Sequence, residues 1–287
     1  QRGTSFIDDF EASETPFDLR LGNNWFLAST PVGQPSLFPE TADPGNSLQF
    51  GYNRGRLAWY IVDPIFFRVQ NASNPNTPPN LNNPTERSNH YTREVLIEEV
   101  FPNRQLPQGA QRNIATLDLA FFPYEKGPFN YRVSNLTPDG DLNNPEESWA
   151  GITRKIETTD FEAANIDYIE FWIMDPFDDH PIHGRVMDGK GNTNNTTGGD
   201  LYVNLGSISE DVIRDSRKSF ENGLPRSAND PQLVDTTSQW QAKVPNIPTL
   251  NNAFDADPNA RNNQDVGLDG WNDQEERLIY QRYIDTI

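Results

Sequence analysis

Asp255-x-Asp257-x-Asn259 sets three oxygen ligands two residues apart, the opening spacing of a calcium loop. Ala260 stands where such a loop needs Gly, and Val266 where it needs a bidentate Glu, so this is not an EF-hand. A few residues on, Gln264-Asp265-Val266-Gly267-Leu268-Asp269-Gly270-Trp271-Asn272-Asp273 places Asp265, Asp269 and Asp273 four apart, with glycines that permit tight turns. Two readings stand side by side: a small calcium cage, or an acidic turn that leads into a capped helix. If a cage is filled, chelation lowers the melting temperature. Asp8, Asp9 and Glu11 make a similar but poorer cluster. His180-Pro181-Ile182-His183 beside Asp178 and Asp179 brings nitrogen and carboxylate ligands together but has no third fixed ligand.

Other chemistry finds no anchor. No Gly-x-Ser-x-Gly elbow occurs for a serine nucleophile, and there is no cysteine for a thiolate or a disulfide. Paired carboxylates cannot be located among 42 acids, so the expectation is a non-enzymatic protein. Trp240 and Trp271 lie outside strong strand patterns, where an exposed ring can stack on a sugar; Trp25, Trp59, Trp149 and Trp172 lie within them and read as core.

The elements that must position these residues read as mainly β. Ile166 to Phe177 is rich in β-branched and aromatic residues, predicts a strand buried on most of both faces, and is closed by Asp175-Pro176. Leu201 to Gly206 predicts its antiparallel neighbour. Further strands are expected at Ser5 to Glu11, Asn24 to Thr30, Asn113 to Phe122 and Trp149 to Ile156, with an aromatic-dense core region from Leu48 to Gln70. Residues 71–90 are Asn, Pro, Thr and Ser for the most part and read as a surface loop. Tyr91 to Phe101 favours a short amphipathic helix. At the far end Asp273 and Glu276 form a capping box for a helix carrying Ile279, Tyr283 and Ile287 on one face.

These elements predict a jelly-roll-type, galactose-binding-like β-sandwich over residues 1–215, followed by an irregular acidic extension over 216–287 with a short terminal helix. With 42 acidic and 23 basic residues the formal charge is -19, a field that repels nucleic acid and anionic lipid. No apolar run approaches the roughly 20 residues of a membrane helix, and no set of strands shows one lipid face, so no direct insertion of this chain into a membrane is expected. Gln1-Arg2-Gly3 reads as a cut inside a longer protein.

Several long strings resemble the SprA/Sov family. They are Gly51-Tyr52-Asn53-Arg54-Gly55-Arg56-Leu57-Ala58-Trp59-Tyr60; Asp118 to Pro123 with Gly127-Pro128-Phe129-Asn130-Tyr131; and Tyr168 to Phe177. Gly199 to Arg217 with Glu221-Asn222-Gly223-Leu224-Pro225, and Gln264 to Gly270, continue the series in order. Members of that family are very large outer-membrane proteins of Bacteroidota that form the translocon of the type IX secretion system and support gliding motility. The resemblance implies a soluble periplasmic or extracellular segment of a giant barrel chain in a Gram-negative outer membrane. Its partners would be the remainder of that chain, accessory secretion-system subunits and secreted cargo proteins. It carries over no catalytic residue. The alternative expectation is a cell-surface carbohydrate-binding β-sandwich module using Trp240 and Trp271.

Overall fold

Gly51 to Tyr60 and Asp118 to Lys126 are two stretches dense in aromatic and apolar residues, and they find each other across more than fifty residues of chain. In the computed structural model the described residues are 18–31, 33–39, 48–62, 93–157, 160–163, 166, 169–175, 198–206, 212, 232–236, 243–245, 257–261, 273–279 and 281. Regular structure among them is mainly β, in four two-stranded antiparallel ladders with a few short helices. The chain divides into two compact units. One comprises Gln1–Gly22, Ile61–Leu117 and Lys155–Val186; the other comprises Asn23–Tyr60, Asp118–Arg154 and Met187–Ile287.

The second unit holds the principal ladder, β2 (Gly55–Tyr60) with β5 (Asp118–Lys126). Leu57 lies opposite Phe121 and Trp59 opposite Leu119, so these four share one face. Sequence reading halts the strand at Pro123, yet β5 continues through it. The register jumps between Arg56↔Phe122 and Gly55↔Lys126, which leaves residues 123–125 bulged opposite a single step of β2. Proline has no N–H to offer a ladder, and a bulge asks for none.

Also in this unit, β1 (Phe26–Leu27) pairs with β6 (Ile152–Thr153), and β7 (Val234–Thr236) pairs with β8 (Lys243–Pro245). The latter ladder lies where the sequence reads as irregular, because three-residue strands are too short to show a period of two. Its core gathers Leu27, Phe50, Phe129 and Val212, with Trp59 and Tyr131 packed against them. Two helices follow, α2 (Pro258–Arg261) and α3 (Asp273–Ile279). The latter is the expected C-terminal helix.

In the other unit β3 (Val95–Leu96) pairs with β4 (Asn113–Ile114), and α1 (Ile97–Val100) leaves directly from β3. The helix expected over Tyr91 to Phe101 is therefore a single turn preceded by a strand. The Leu96 N–H donates to Glu99 Oε1 at 3.4 Å, which satisfies one donor at the helix start.

Two expectations are overturned here. Residues 169–175 form neither strand nor helix, and they are not buried: Trp172 is 74% exposed and Ile173 65%, so Trp172 is not core. Leu201 to Leu205 likewise forms no strand, and all of it but Asn204 is exposed. Apolar composition predicts that a segment wants cover, not that the cover is present. The expected strand at Ser5 to Glu11, the loop at 71–90, and His180 and His183 lie outside the described residues.

Candidate functional site

The sequence nominated carboxylates and tryptophans near the C-terminus. Asp255, Asp265, Asp269, Trp240 and Trp271 lie outside the described residues. Asp257 is described, and its Oδ1 accepts the backbone N–H of Asn259 at 3.0 Å, the hydrogen bond of a helix N-cap at α2. Asn259 itself is helical. Asp273 opens α3, while its carboxylate and that of Glu276 are outside the described side chains. Among the described residues no group of three or more His, Cys, Asp or Glu is placed to hold a metal ion.

The structure instead gathers polar chemistry at Arg54, which the sequence reading did not single out. Arg54 is 2% exposed. A turn delivers it: the Arg54 N–H donates to Gly51 O at 3.0 Å, just before β2 begins. Its Nη1 donates to Pro128 O at 3.1 Å, its Nη2 reaches Ala28 O at 3.5 Å, and its guanidinium lies 5.0 Å from the Trp149 ring centroid. Phe38 meets the same indole edge-on at 5.5 Å. A charge taken from water is tolerated only when such dipoles and π-faces replace the lost hydration.

Asn130 closes the cluster from the other side. Its Nδ2 donates to Arg54 O at 2.7 Å and Tyr52 O at 3.1 Å, while its Oδ1 accepts the Arg132 N–H at 3.1 Å. Arg132 Nη1 in turn donates to Asn53 Oδ1 at 2.9 Å. To bring Asn130 inward the chain turns sharply, with Asn130 N–H to Gly127 O at 3.2 Å and Phe129 at φ 55°. A left-handed Phe is costly, about 1–2 kcal/mol, and burial of its ring at 4% exposure offsets that cost.

Backbone completes the arrangement. The Gly127 N–H donates to Arg54 O at 2.9 Å, and Gly55 N–H to Trp149 O at 2.8 Å. A Cβ on Gly127 would collide with the Gly55 carbonyl. Gly51 to Tyr60 and Gly127 to Tyr131, quoted above as separate strings, thus form one interlocked cluster with Trp149. Most of its donors and acceptors are spent on each other and on backbone, while Arg54 Nε is buried with no hydrogen-bond partner among the described residues. It orders the unit and presents no reacting group. The signal available in sequence was an Arg between Asn53 and Gly55 in an aromatic-dense stretch, together with Gly-Pro-Phe-Asn, a turn that sends an amide inward.

The other feature with functional content is apolar surface. In the unit that contains β3 and β4, Ile169, Phe171, Trp172 and Ile173 are exposed, with Phe101 edge-on to Trp172 at 6.3 Å. In the unit that contains β2 and β5, Leu201, Tyr202, Val203 and Leu205 are exposed, each by more than half. Asn204 in that run accepts a hydrogen bond from Gln34 Nε2 at 2.9 Å. Exposed apolar runs of this kind offer surface that a protein, a membrane or a ligand can cover. Comparison with protein-family models and with curated proteins finds no match to this chain.

Proposed function

We propose that this chain is a soluble segment of the outer-membrane protein translocon of a type IX secretion system, serving protein export and gliding motility without catalysis. In this reading its β ladders belong to a jelly-roll-type sandwich. It lies on the periplasmic or outer side of the membrane and contacts the rest of a large barrel chain, accessory subunits or exported cargo.

The observation that carries the reading is how the strings resembling the SprA/Sov family divide. Gly51 to Tyr60 and Gly127 to Tyr131 satisfy one another around Arg54. The strings containing Ile169 to Ile173 and Leu201 to Leu205 instead hold large apolar side chains in solvent. A segment of a larger assembly needs both kinds: internal strings that fix its own fold, and external strings covered by neighbouring protein. The absence of a nucleophile elbow and of cysteine accords with a non-catalytic role.

In-frame deletion of the segment from the native chromosomal gene tests the proposal. Secreted proteins should then accumulate inside the cells and spreading motility should fail. Normal secretion with the deleted protein present in the outer membrane would refute it.

A further inference from the structure

The apolar strip of residues 169–175 has a chemistry that selects its occupant. Ile169, Phe171 and Ile173 recur every second residue and are 48%, 46% and 65% exposed, while Trp172, 74% exposed, falls in the alternate set with Glu170. An alternating apolar row is what a strand offers to an added strand. The strip nevertheless belongs to no ladder among the described residues. Phe101, 39% exposed and edge-on to Trp172, widens the apolar surface.

Charge then narrows the choice. Between Lys155 and Arg185 the chain carries Glu157, Asp160, Glu162, Asp167, Glu170, Asp175, Asp178 and Asp179 and not one Lys or Arg. Near Phe101 the cations Arg93 and Arg112 are engaged by Glu99 and Glu98, each at 2.8 Å, and Arg104, whose backbone N–H donates to Phe101 O at 3.0 Å, adds one positive charge against the eight carboxylates. A second copy of the chain would set this acidic stretch against itself, and an anionic membrane or nucleic acid would be repelled by it. Like charges across a pairing strand are destabilising, and opposite charges stabilise it.

We infer that residues 169–175 form a docking strip for a basic, extended segment of another protein, added as a β-strand with alternating apolar and Lys or Arg side chains. The inference stands on exposure and charge alone and does not require the translocon assignment. Apolar contacts to the row of Ile169, Phe171 and Ile173 hold one face of the added segment, its Lys or Arg side chains meet Trp172 and Glu170 on the other, and the acidic stretch steers it and fixes which sequences are accepted.

The test is fluorescence anisotropy of a labelled peptide alternating Lys with Ile and Phe, titrated with the full 287-residue chain. Three further probes are a Glu-for-Lys version, a charge-matched peptide whose apolar residues are spaced for a helix, and the polysaccharides of the native cell surface. The alternating basic peptide should bind and weaken with salt. Trp172→Ser and Ile173→Ser should each weaken it by about tenfold, the loss expected for a central apolar anchor. Glu170→Lys should weaken the basic peptide while the Glu version gains. Both anchor side chains are exposed, so these variants leave the fold intact. Equal binding of the helix-spaced peptide, unchanged affinity in both serine variants, or a Trp172-dependent interaction with polysaccharide alone would each overturn the inference.

Discussion

Arg54→Ala should be among the most damaging single changes in the unit built on β2 and β5. A charge-assisted hydrogen bond contributes about 1.5–3 kcal/mol, and the bond to Pro128 O at 3.1 Å qualifies. The contact to Ala28 O at 3.5 Å adds little. A desolvated guanidinium over an indole is worth about 2 kcal/mol, and 5.0 Å to the Trp149 centroid is within range. Truncation leaves Pro128 O facing a cavity, and the two lost interactions together put the net loss at about 3–5 kcal/mol. At a urea slope of about 2–3 kcal/mol/M the unfolding midpoint falls by roughly 1–2 M. Tryptophan fluorescence is a suitable readout because Trp149 sits in the cluster. Arg56→Ala is the control. That neighbour reaches Glu125 at 2.7 Å, but its side chain is 59% exposed, and the loss should stay under about 1 kcal/mol. Equal midpoints for the two variants would refute the assignment of Arg54 as the organiser of the unit.

Further outcomes follow from the same geometry. Gly127→Ala drives a Cβ onto the Gly55 carbonyl and should cost about 2–4 kcal/mol in the same urea assay, whereas Gly199→Ala, which meets open space, should change stability by less than about 0.5 kcal/mol. Partial burial first, and the Asp118 charge second, push the Tyr60 phenol above the ordinary tyrosine range. Its neutral form is favoured in the fold, so that contribution is present below the ordinary tyrosine value and disappears as pH rises through the raised one. An absorbance titration of wild type minus Tyr60→Phe should show one late phenolate, moved only part of the way back by Asp118→Asn; an ordinary or early ionisation would refute the Tyr60↔Asp118 register. A hydrogen bond from its own backbone N–H, then Arg112, hold the Glu98 carboxyl below its usual range. That stabilisation is present above the ordinary Glu value and lost as pH falls through the depressed one, so melting curves of Glu98→Gln should converge with wild type only at acid pH.

What the sequence could and could not reveal is clearest residue by residue. β5 was legible in part, because Asn113 to Phe122 is rich in strand formers, and the terminal helix was legible from its acidic start; Gly55 to Tyr60 read only as an aromatic-dense core region, and its pairing with β5 was not legible because the partners lie far apart in sequence. The Arg54 cluster was not legible, since Pro128 O and Ala28 O lie 74 and 26 residues away in sequence and nothing local announces them. Trp172 misled because its neighbours are as apolar as those of any core strand; burial depends on what packs above it, which a single strand does not encode. Asp257 was read as a candidate ligand, while its carboxylate makes an N-cap hydrogen bond, a bond that any Asp two residues before a helical N–H can form. The β7–β8 ladder escaped notice because Val234 and Val244 are nearly alone in a polar stretch.

An antibody raised against this chain, used on fractionated cells of the native host, tests the central claim most directly. The account predicts one outer-membrane band many times larger than 32.6 kDa, the mass of the chain by itself. A band near that mass released into the medium would contradict it.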